Sequence, residues 1–186
     1  MMEVEKTAIE GLLIVRTRVF NDARGAFFEG FRADRFAAAG LPTEFLQDNF
    51  SHSKRNVLRG LHFQEPNGQG KFVRCVSGAI YDVAVDIRPG SKTFGRHVGI
   101  ELSDDQSRGL ALYIPSGFAH GFAVLSAEAC VSYKCTTLYS PADEKGLRWD
   151  DPGLGIRWPV QAPLLSEKDE KYAPFREYAA AIGQKL

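Results

Sequence analysis

The chain has 186 residues, of which 44% are hydrophobic and 25% charged, an ordinary composition for a globular protein. At this length one domain can bury a continuous apolar core, so we expect a single domain over residues 1–186 without disulfide or metal staples. Lys and Arg together number 23, as do Asp and Glu. This balance excludes a general electrostatic attraction to nucleic acid or to an anionic membrane.

The N-terminus and the cysteines indicate a cellular location. The first 15 residues mix charges with a short apolar run, which matches neither a signal peptide nor a membrane span. Cys75, Cys130 and Cys135 form no C-x-x-C pair, and each lies in a strand-like stretch. We therefore predict buried, reduced packing cysteines in a cytoplasmic protein.

The first predicted elements are two strands and a helix. An apolar, β-branched run predicts a strand over Gly11–Phe20, which the turn-forming residues Asn21–Gly25 end. A second short strand is predicted over Phe27–Phe31. Good helix formers over Ala33–Ala39, followed by Gly40, predict the only helix in the first two-thirds of the chain.

The middle of the chain, from Lys71 to Leu138, contains several β-branched or alternating runs separated by turn-forming residues. Turns at intervals of about eight to twelve residues are typical of an antiparallel sandwich or barrel. The predicted fold class is therefore all-β, a jelly-roll β-sandwich or barrel with a few short helices. Ser166, with Asp169 three residues on, predicts the capped start of a C-terminal helix.

Metal-binding cupins take their ligands from two sequence blocks, and this chain matches that pattern only in part. If the first block ends at Gly78, Lys71 stands where the glutamate ligand belongs and Gln64 where the second histidine belongs. The second block reaches His120 with matching spacing, but Val124 stands at its final asparagine position. Two histidines, an amide and a lysine make a poor divalent site, so we expect no catalytic metal.

Lys71 admits two interpretations. In a pocket, its ammonium group would stabilise the negative charge that develops when a proton next to a carbonyl is removed. After the segment Gly68–Gly70 it could equally be a solvated loop residue, because lysine is commonly exposed. The local pattern leaves both interpretations open.

Longer motifs resemble those of a known family. They are Asp22–Gly25, Gln47–Asn49, Val57–Arg59, Gly60–Gln64, Pro115–Phe122, Tyr133–Tyr139 and Leu165–Asp169. In this order they resemble the dTDP-4-dehydrorhamnose 3,5-epimerase family, from about Ile9 to about Tyr172. The resemblance implies a cupin-type jelly roll, a homodimer that exchanges N-terminal strands, and catalysis without a cofactor.

The resemblance also implies four catalytic roles. His62 matches the general base that removes the proton beside the 4-keto group, and Asp169 matches the carboxylate that orients its imidazole. Tyr133 matches the general acid on the opposite face of the sugar, and Lys71 matches the cation that neutralises the enolate oxygen. Imidazole suits the task because its ordinary pKa of about 6.5 lies near working pH. Structural roles are the alternatives: a core histidine, a helix-capping aspartate and a packed strand tyrosine.

By the same resemblance, polar and aromatic residues bind a dTDP-linked 4-keto-6-deoxy sugar. A pyrophosphate and a flat base need cations, hydrogen-bond donors and an aromatic ring, and Tyr139 matches the ring that stacks on thymine. The substrate-binding residues so implied are Arg24, Phe27, Glu29, Gln47, Asp48, Asn49, Arg59, Lys71, His120, Tyr139, Glu144 and Lys168.

The predicted activity is epimerisation of dTDP-4-dehydro-6-deoxy-D-glucose at C3 and C5, in deoxysugar biosynthesis. Three alternatives stay open: a family member that inverts only C3 or C5, a metal-dependent cupin oxygenase or isomerase, and a catalytically silent sugar-nucleotide-binding module. Convergence of His62, Asp169 and Tyr133 on one cavity would argue against the last.

Overall fold

The computed structural model describes residues 2–105 and 109–185. Short antiparallel strands are the main regular structure of these residues. The strands are β1 (Met2–Lys6), β2 (Leu13–Thr17), β3 (Val19–Asp22), β4 (Gly25–Phe28), β5 (Gln47–Lys54), β6 (Leu58–Gln64), β7 (Lys71–Ser77), β8 (Ala79–Asp86), β9 (His97–Ser103), β10 (Leu110–Ile114), β11 (Phe118–Val124), β12 (Glu128–Cys135) and β13 (Glu144–Gly146). The helices are α1 (Ala33–Ala38), a 3₁₀ turn (Asp169–Lys171) and α2 (Phe175–Ala181).

Two sheets form the body of the fold. The six-stranded sheet has the order β1-β2-β10-β7-β12-β5, and the five-stranded sheet has the order β13-β6-β11-β8-β9. Strands β3 and β4 form a separate hairpin. This arrangement confirms the predicted all-β, cupin-type jelly roll with a few short helices.

The main core lies between the two sheets because their strands alternate apolar residues on the facing sides. Val73 and Val131 of the six-stranded sheet pack in one buried cluster with Ile80 and Leu102 of the five-stranded sheet. On β12, Tyr133 shares the side of Val131 and packs against this cluster. The alternation therefore directs Tyr133 between the sheets.

The outer faces of both sheets are covered by other parts of the chain. Helix α1 places Phe36 against Phe72 of β7, with ring centroids 5.1 Å apart. On the five-stranded sheet, Leu154 and Phe175 of the C-terminal region pack over β6 and β8. This packing holds the C-terminal region against the sheet that carries His62. None of the described helices is long and apolar enough to cross a membrane.

The cysteines behave as predicted. Cys75, Cys130 and Cys135 are buried and free. Burial raises the pKa of the Cys75 thiol to about 12, and it also raises the pKa of Cys135. The thiols of Cys75 and Cys135 are therefore protonated at neutral pH.

The predicted strand over residues 11–20 is wrong in its bounds, because two strands share this stretch. Strand β2 pairs with β1 and β10 in the six-stranded sheet, whereas β3 pairs with β4 in the hairpin. The second predicted strand also ends earlier than expected, at Phe28. Phe28 pairs with Val19, and this is the last pair of the hairpin. The first helix lies where it was predicted, over Ala33–Ala38.

The C-terminal helix does not start at Ser166, as predicted. The chain makes a 3₁₀ turn over Asp169–Lys171, becomes extended at Tyr172, and starts α2 only after Pro174. Proline disfavours a helical conformation in the residue before it, so one continuous helix cannot form. The Ser166 hydroxyl still accepts a hydrogen bond from the Asp169 N–H at 3.1 Å.

Candidate active site

A cavity of about 280 Å³ opens between the two sheets. Strands β5, β6, β7, β12 and β13 and the segments that follow β6 and β12 contribute its walls. The lining residues are Gln47, Asn49, His62, Phe63, Gln64, Gln69, Lys71, Tyr133, Tyr139 and Glu144. Seven of the predicted site residues therefore lie together on one cavity.

A close contact between β6 and β11 sets the position of His62. Gly60 has a φ of 121°, and a Cβ built on it would lie 2.6 Å from the Cα of Gly121. Only glycine permits both this conformation and this approach. The two strands are irregular here, and His62 pairs directly across from His120.

His62 forms a short hydrogen bond with a buried carboxylate. Its Nε2 lies 2.5 Å from Oδ1 of Asp169, and Asp169 is only 3% exposed. The Ser166 hydroxyl donates a second hydrogen bond to Asp169 Oδ2 at 2.8 Å. When Nε2–H donates to Asp169, the other ring nitrogen carries the lone pair, so the imidazole can act as a base through Nδ1.

Asp169 contacts His62, and its carboxylate caps no helix at Ser166, because no helix starts there. Its carboxylate contacts His62, while its backbone N–H contacts Ser166 in the turn. Burial alone would raise the pKa of Asp169, but hydrogen bonds from His62 and Ser166 bring it below its ordinary value. A fixed negative charge therefore lies beside the imidazole and can stabilise its protonated form.

Tyr133 lines the same cavity from the opposing sheet. Strand β12 carries Tyr133 and belongs to the six-stranded sheet, whereas β6 carries His62 and belongs to the five-stranded sheet. Burial raises the pKa of Tyr133, so its hydroxyl is protonated at neutral pH. A proton acceptor and a proton donor thus lie on opposite walls.

Lys71 is the first residue of β7 and lines the cavity. It is therefore not a solvated loop residue. Burial lowers the pKa of Lys71, while the carboxylates of Asp82 and Glu144 act in the opposite direction. Cys135, its pairing partner across β12, is also buried. The amine of Lys71 therefore lies on the wall that carries Tyr133.

A second histidine–aspartate pair lies deeper. His120 Nε2 is 2.9 Å from Asp82 Oδ2, and both residues are buried. Burial lowers the pKa of His120, with Asp82 opposing and the nearby Lys71 and His62 adding to the decrease. Sequence reasoning missed Asp82. The available signal was a charged residue on the inward side of β8, between Ile80 and Ala84.

Polar contacts connect the rim of the cavity. Glu144 accepts a hydrogen bond from the Tyr139 hydroxyl and forms an ion pair with Lys168. Burial alone would raise the pKa of Glu144, but these two partners lower it. Gln47 accepts a 2.7 Å hydrogen bond from the Tyr139 N–H and donates one of 2.9 Å to Asn49. These contacts hold the aromatic ring of Tyr139 at the mouth.

Arg59 lies beside this cavity on β6. Its Nε donates a 3.0 Å hydrogen bond to the Ser53 hydroxyl, and its charge lowers the pKa of Tyr133, although burial dominates that shift. Asp48 instead points away from the cavity wall, where it forms a 2.7 Å ion pair with Lys134.

Three further predicted residues lie outside this cavity. Arg24 and Phe27 line a separate surface hollow on the β3–β4 hairpin, where the Arg24 side chain is 89% exposed and pairs with Asp22. Glu29 forms a 2.9 Å ion pair with Arg35 of α1. Within one chain, the fold does not bring these residues to His62. Their assignment to the substrate stays a prediction.

The cupin ligand positions hold no metal-binding set. Among the described residues, no group of three or more His, Cys, Asp or Glu side chains could hold a metal ion. Gln64 instead donates hydrogen bonds to the backbone oxygens of Asn67 and Leu138. Its amide therefore supports the loops around the cavity, a role that its sequence position did not reveal.

Comparison with known proteins identifies the family. The family model described as dTDP-4-dehydrorhamnose 3,5-epimerase matches residues 6–177. A Shigella flexneri protein of that name is 54% identical over 170 residues, which cover 90% of this chain and 93% of the relative. A dTDP-4-dehydrorhamnose 3-epimerase of Streptomyces niveus is 43% identical over 171 residues, covering 91% of this chain and 82% of the relative.

A solved structure gives the same result. The dTDP-6-deoxy-D-glucose-3,5-epimerase of Legionella pneumophila Philadelphia 1, in complex with dTDP-4-keto-L-rhamnose, superimposes with a TM-score of 0.93. It is 42% identical, and the match covers 100% of this chain and 99% of that one. From sequence and fold together, the chain belongs to the dTDP-4-dehydrorhamnose 3,5-epimerase family.

Proposed function

We propose that this chain inverts C3 and C5 of dTDP-4-dehydro-6-deoxy-D-glucose and so forms dTDP-4-dehydro-L-rhamnose, in dTDP-L-rhamnose biosynthesis. One observation carries the proposal: a histidine paired with a carboxylate and a protonated tyrosine line opposite walls of a single cavity. An epimerase needs this arrangement, because it must remove a proton from one face of a carbon and add one to the other.

The geometry supports a balanced proton transfer. Nδ1 of His62 takes the proton from C5, and the electron pair of the broken C–H bond moves into the C4 carbonyl, forming an enolate. The Lys71 ammonium stabilises the enolate oxygen. The Tyr133 hydroxyl then protonates C5 from the opposite face, and the same sequence at C3 completes the reaction. Proton exchange with water returns His62 to its neutral form and Tyr133 to its protonated form.

Residues at the rim of the cavity can bind the nucleotide part of the substrate. A flat thymine base can stack on the exposed ring of Tyr139, and Arg59 and Lys168 offer cations for the pyrophosphate. The Lys168 charge is shared with Glu144, so this ion pair must loosen or reorient when a phosphate binds. His120 and Asn49 supply hydrogen-bonding groups deeper in the site.

We also propose a homodimer in which the β3–β4 hairpin of one protomer reaches the cavity of its partner. Phe20 and Phe27 on this hairpin are 50% and 70% exposed. A second copy would cover these rings, because exposed clusters of large apolar side chains typically mark interfaces. Arg24, carried by the same hairpin, would then lie near a pyrophosphate. Cytoplasmic location is a prediction from the N-terminal sequence.

A family member that inverts only C3 is the second candidate, because a 3-epimerase is 43% identical to this chain. The deciding experiment couples the purified protein to an NADPH-dependent 4-keto reductase and reads the product by NMR. A product inverted at both C3 and C5 supports the main proposal, and one inverted only at C3 replaces it.

A metal-dependent cupin reaction is tested on the same assay. Prolonged chelator treatment should leave turnover unchanged. Loss of turnover that a single divalent ion restores would contradict the proposed mechanism, in which Lys71 rather than a metal meets the enolate oxygen.

A further inference from the structure

We propose that Tyr172 is a positioning residue for His62, whose aromatic ring holds the imidazole in the orientation needed for proton removal. The proposal rests on the epimerase function proposed for this cavity. Tyr172 is absent from the cavity lining, so it would act through His62 and not through contact with the substrate.

The ring of Tyr172 packs directly against the imidazole. The two ring centroids are 5.6 Å apart, and the planes meet at 68°. Such edge-to-face contacts are favourable and directional. Asp169, three residues earlier in the chain, binds Nε2 of the same imidazole. One short turn therefore supplies both a carboxylate at the edge of the imidazole and an aromatic ring against it.

Strand β13 leaves room for this ring. Gly146 pairs directly with His62 across β13 and β6. A Cβ on Gly146 would lie 2.4 Å from two ring carbons of Tyr172, closer than any real contact. The φ of Gly146 is not in the left-handed range, so backbone conformation does not require glycine. The space taken by the Tyr172 ring does.

The hydroxyl of Tyr172 contributes little to this contact. Its Oη is buried and has no hydrogen-bond partner among the described residues. Burial raises the pKa of Tyr172, and the carboxylates of Glu144 and Asp169 raise it further. The hydroxyl is therefore neutral, and the ring is the part that acts on His62. Removing the whole ring should therefore affect His62, whereas removing only the hydroxyl should not.

The test compares Tyr172→Phe with Tyr172→Ala. Tyr172→Phe keeps the ring and should retain the wild-type kcat. Tyr172→Ala frees the imidazole and should lower kcat, and exchange of the C5 proton with solvent deuterium, by up to about 10²-fold. KM should stay unchanged, because the cavity wall is intact.

The matched control is Tyr178→Ala. Tyr178 packs edge-to-face on Phe63, the neighbour of His62 on β6, with centroids 5.1 Å apart. This variant removes a comparable aromatic contact from the adjacent residue of β6, in the outer cluster of the five-stranded sheet, and it should leave kcat and C5 exchange unchanged. If Tyr172→Ala does not fold, Gly146→Ala keeps the tyrosine and displaces its ring, and it should lower kcat in the same way.

A second readout needs no substrate. In ligand-free protein, the His62 Nε2–H proton should give a downfield NMR signal that persists in Tyr172→Phe. Faster exchange with water should broaden it in Tyr172→Ala. A persistent signal in Tyr172→Ala, equal kcat losses in both Tyr172 variants, or a change confined to KM would each overturn the proposal. Failure of the epimerase function appears separately, as absence of C5 exchange in the wild type.

Discussion

The Nε2 atom of His62 lies 2.5 Å from the Oδ1 atom of Asp169, although 107 residues separate the two along the chain. Ser166 holds the other carboxylate oxygen at 2.8 Å, so the imidazole is held from one side by a fixed acceptor. This pair lies on the five-stranded sheet, and Tyr133 faces the same cavity from the six-stranded sheet. The predictions below separate what each group contributes.

Replacing His62 with alanine should abolish exchange of the C5 proton with solvent deuterium, a loss of about 10²–10⁴-fold for a positioned base. Binding of dTDP, measured by calorimetry, should weaken only modestly. Asp169→Asn should slow the same step, because it removes the charge that stabilises the imidazolium. The exposed His52 of β5 provides the control variant His52→Ala. Wild-type exchange in His62→Ala would make His120 the next candidate for the base.

Replacing Tyr133 with phenylalanine should separate exchange from inversion. His62 and Lys71 remain, so C5 should still acquire deuterium, but mostly with retained configuration. Inversion should fall by about 10²–10⁴-fold. Tyr113→Phe removes a partly buried hydroxyl from β10, away from the cavity, and should change neither rate.

A packing role for Tyr133 leads to a different result. Losing a buried hydroxyl from a packed side chain would lower the free energy of unfolding by about 1–3 kcal/mol if its partner lost a hydrogen bond. The ratio of inversion to exchange would then stay at the wild-type value. NMR measurement of this ratio decides between the two roles.

Replacing Lys71 with methionine should lower C5 exchange by about 10²–10³-fold, the usual cost of removing one preorganised oxyanion donor. Burial lowers the pKa of Lys71, so its ammonium is lost at a lower pH than that of an exposed lysine. Wild-type exchange should accordingly decline as the pH rises through this lowered pKa.

The pH profile provides the check on Lys71. The residual exchange of Lys71→Met should lack the alkaline decline, whereas Lys92→Met, in the exposed segment after β8, should keep it. Exchange is the useful rate here because it does not require the Tyr133 proton. An alkaline decline that survives in Lys71→Met would assign the titration to another group.

Mixing two inactive variants tests the shared site. His62→Ala removes the base from the cavity of its own chain, and Arg24→Ala removes the guanidinium group from the hairpin of its own chain. If Arg24 acts in the partner's cavity, their heterodimer contains one site with both groups intact, and it should recover about half of the wild-type activity. Two affinity tags isolate the heterodimer, and light scattering reports its mass. An inactive heterodimer would show that Arg24 serves its own chain, and an active Arg24→Ala homodimer would show that it serves neither chain.

Much of the fold was predictable from local pattern. Period-two alternation and regularly spaced turn residues identified most strands between Lys71 and Leu138, because one face of each strand must be buried. The helix ended by Gly40 and the three buried cysteines followed from equally local rules. Motif order, through its resemblance to a family, indicated His62, Asp169, Lys71 and Tyr133 as residues of one site.

The tertiary structure decided which side chains meet. Local pattern cannot tell that Asp169 binds His62, that Asp82 pairs with His120, or that Tyr172 fills the space above Gly146. These contacts depend on sheet register and on the path of the C-terminal region, which packing over the whole chain determines. For the same reason the sequence missed the break at Pro174, and it assigned the hairpin residue Arg24 to a cavity that its own chain does not bring near it.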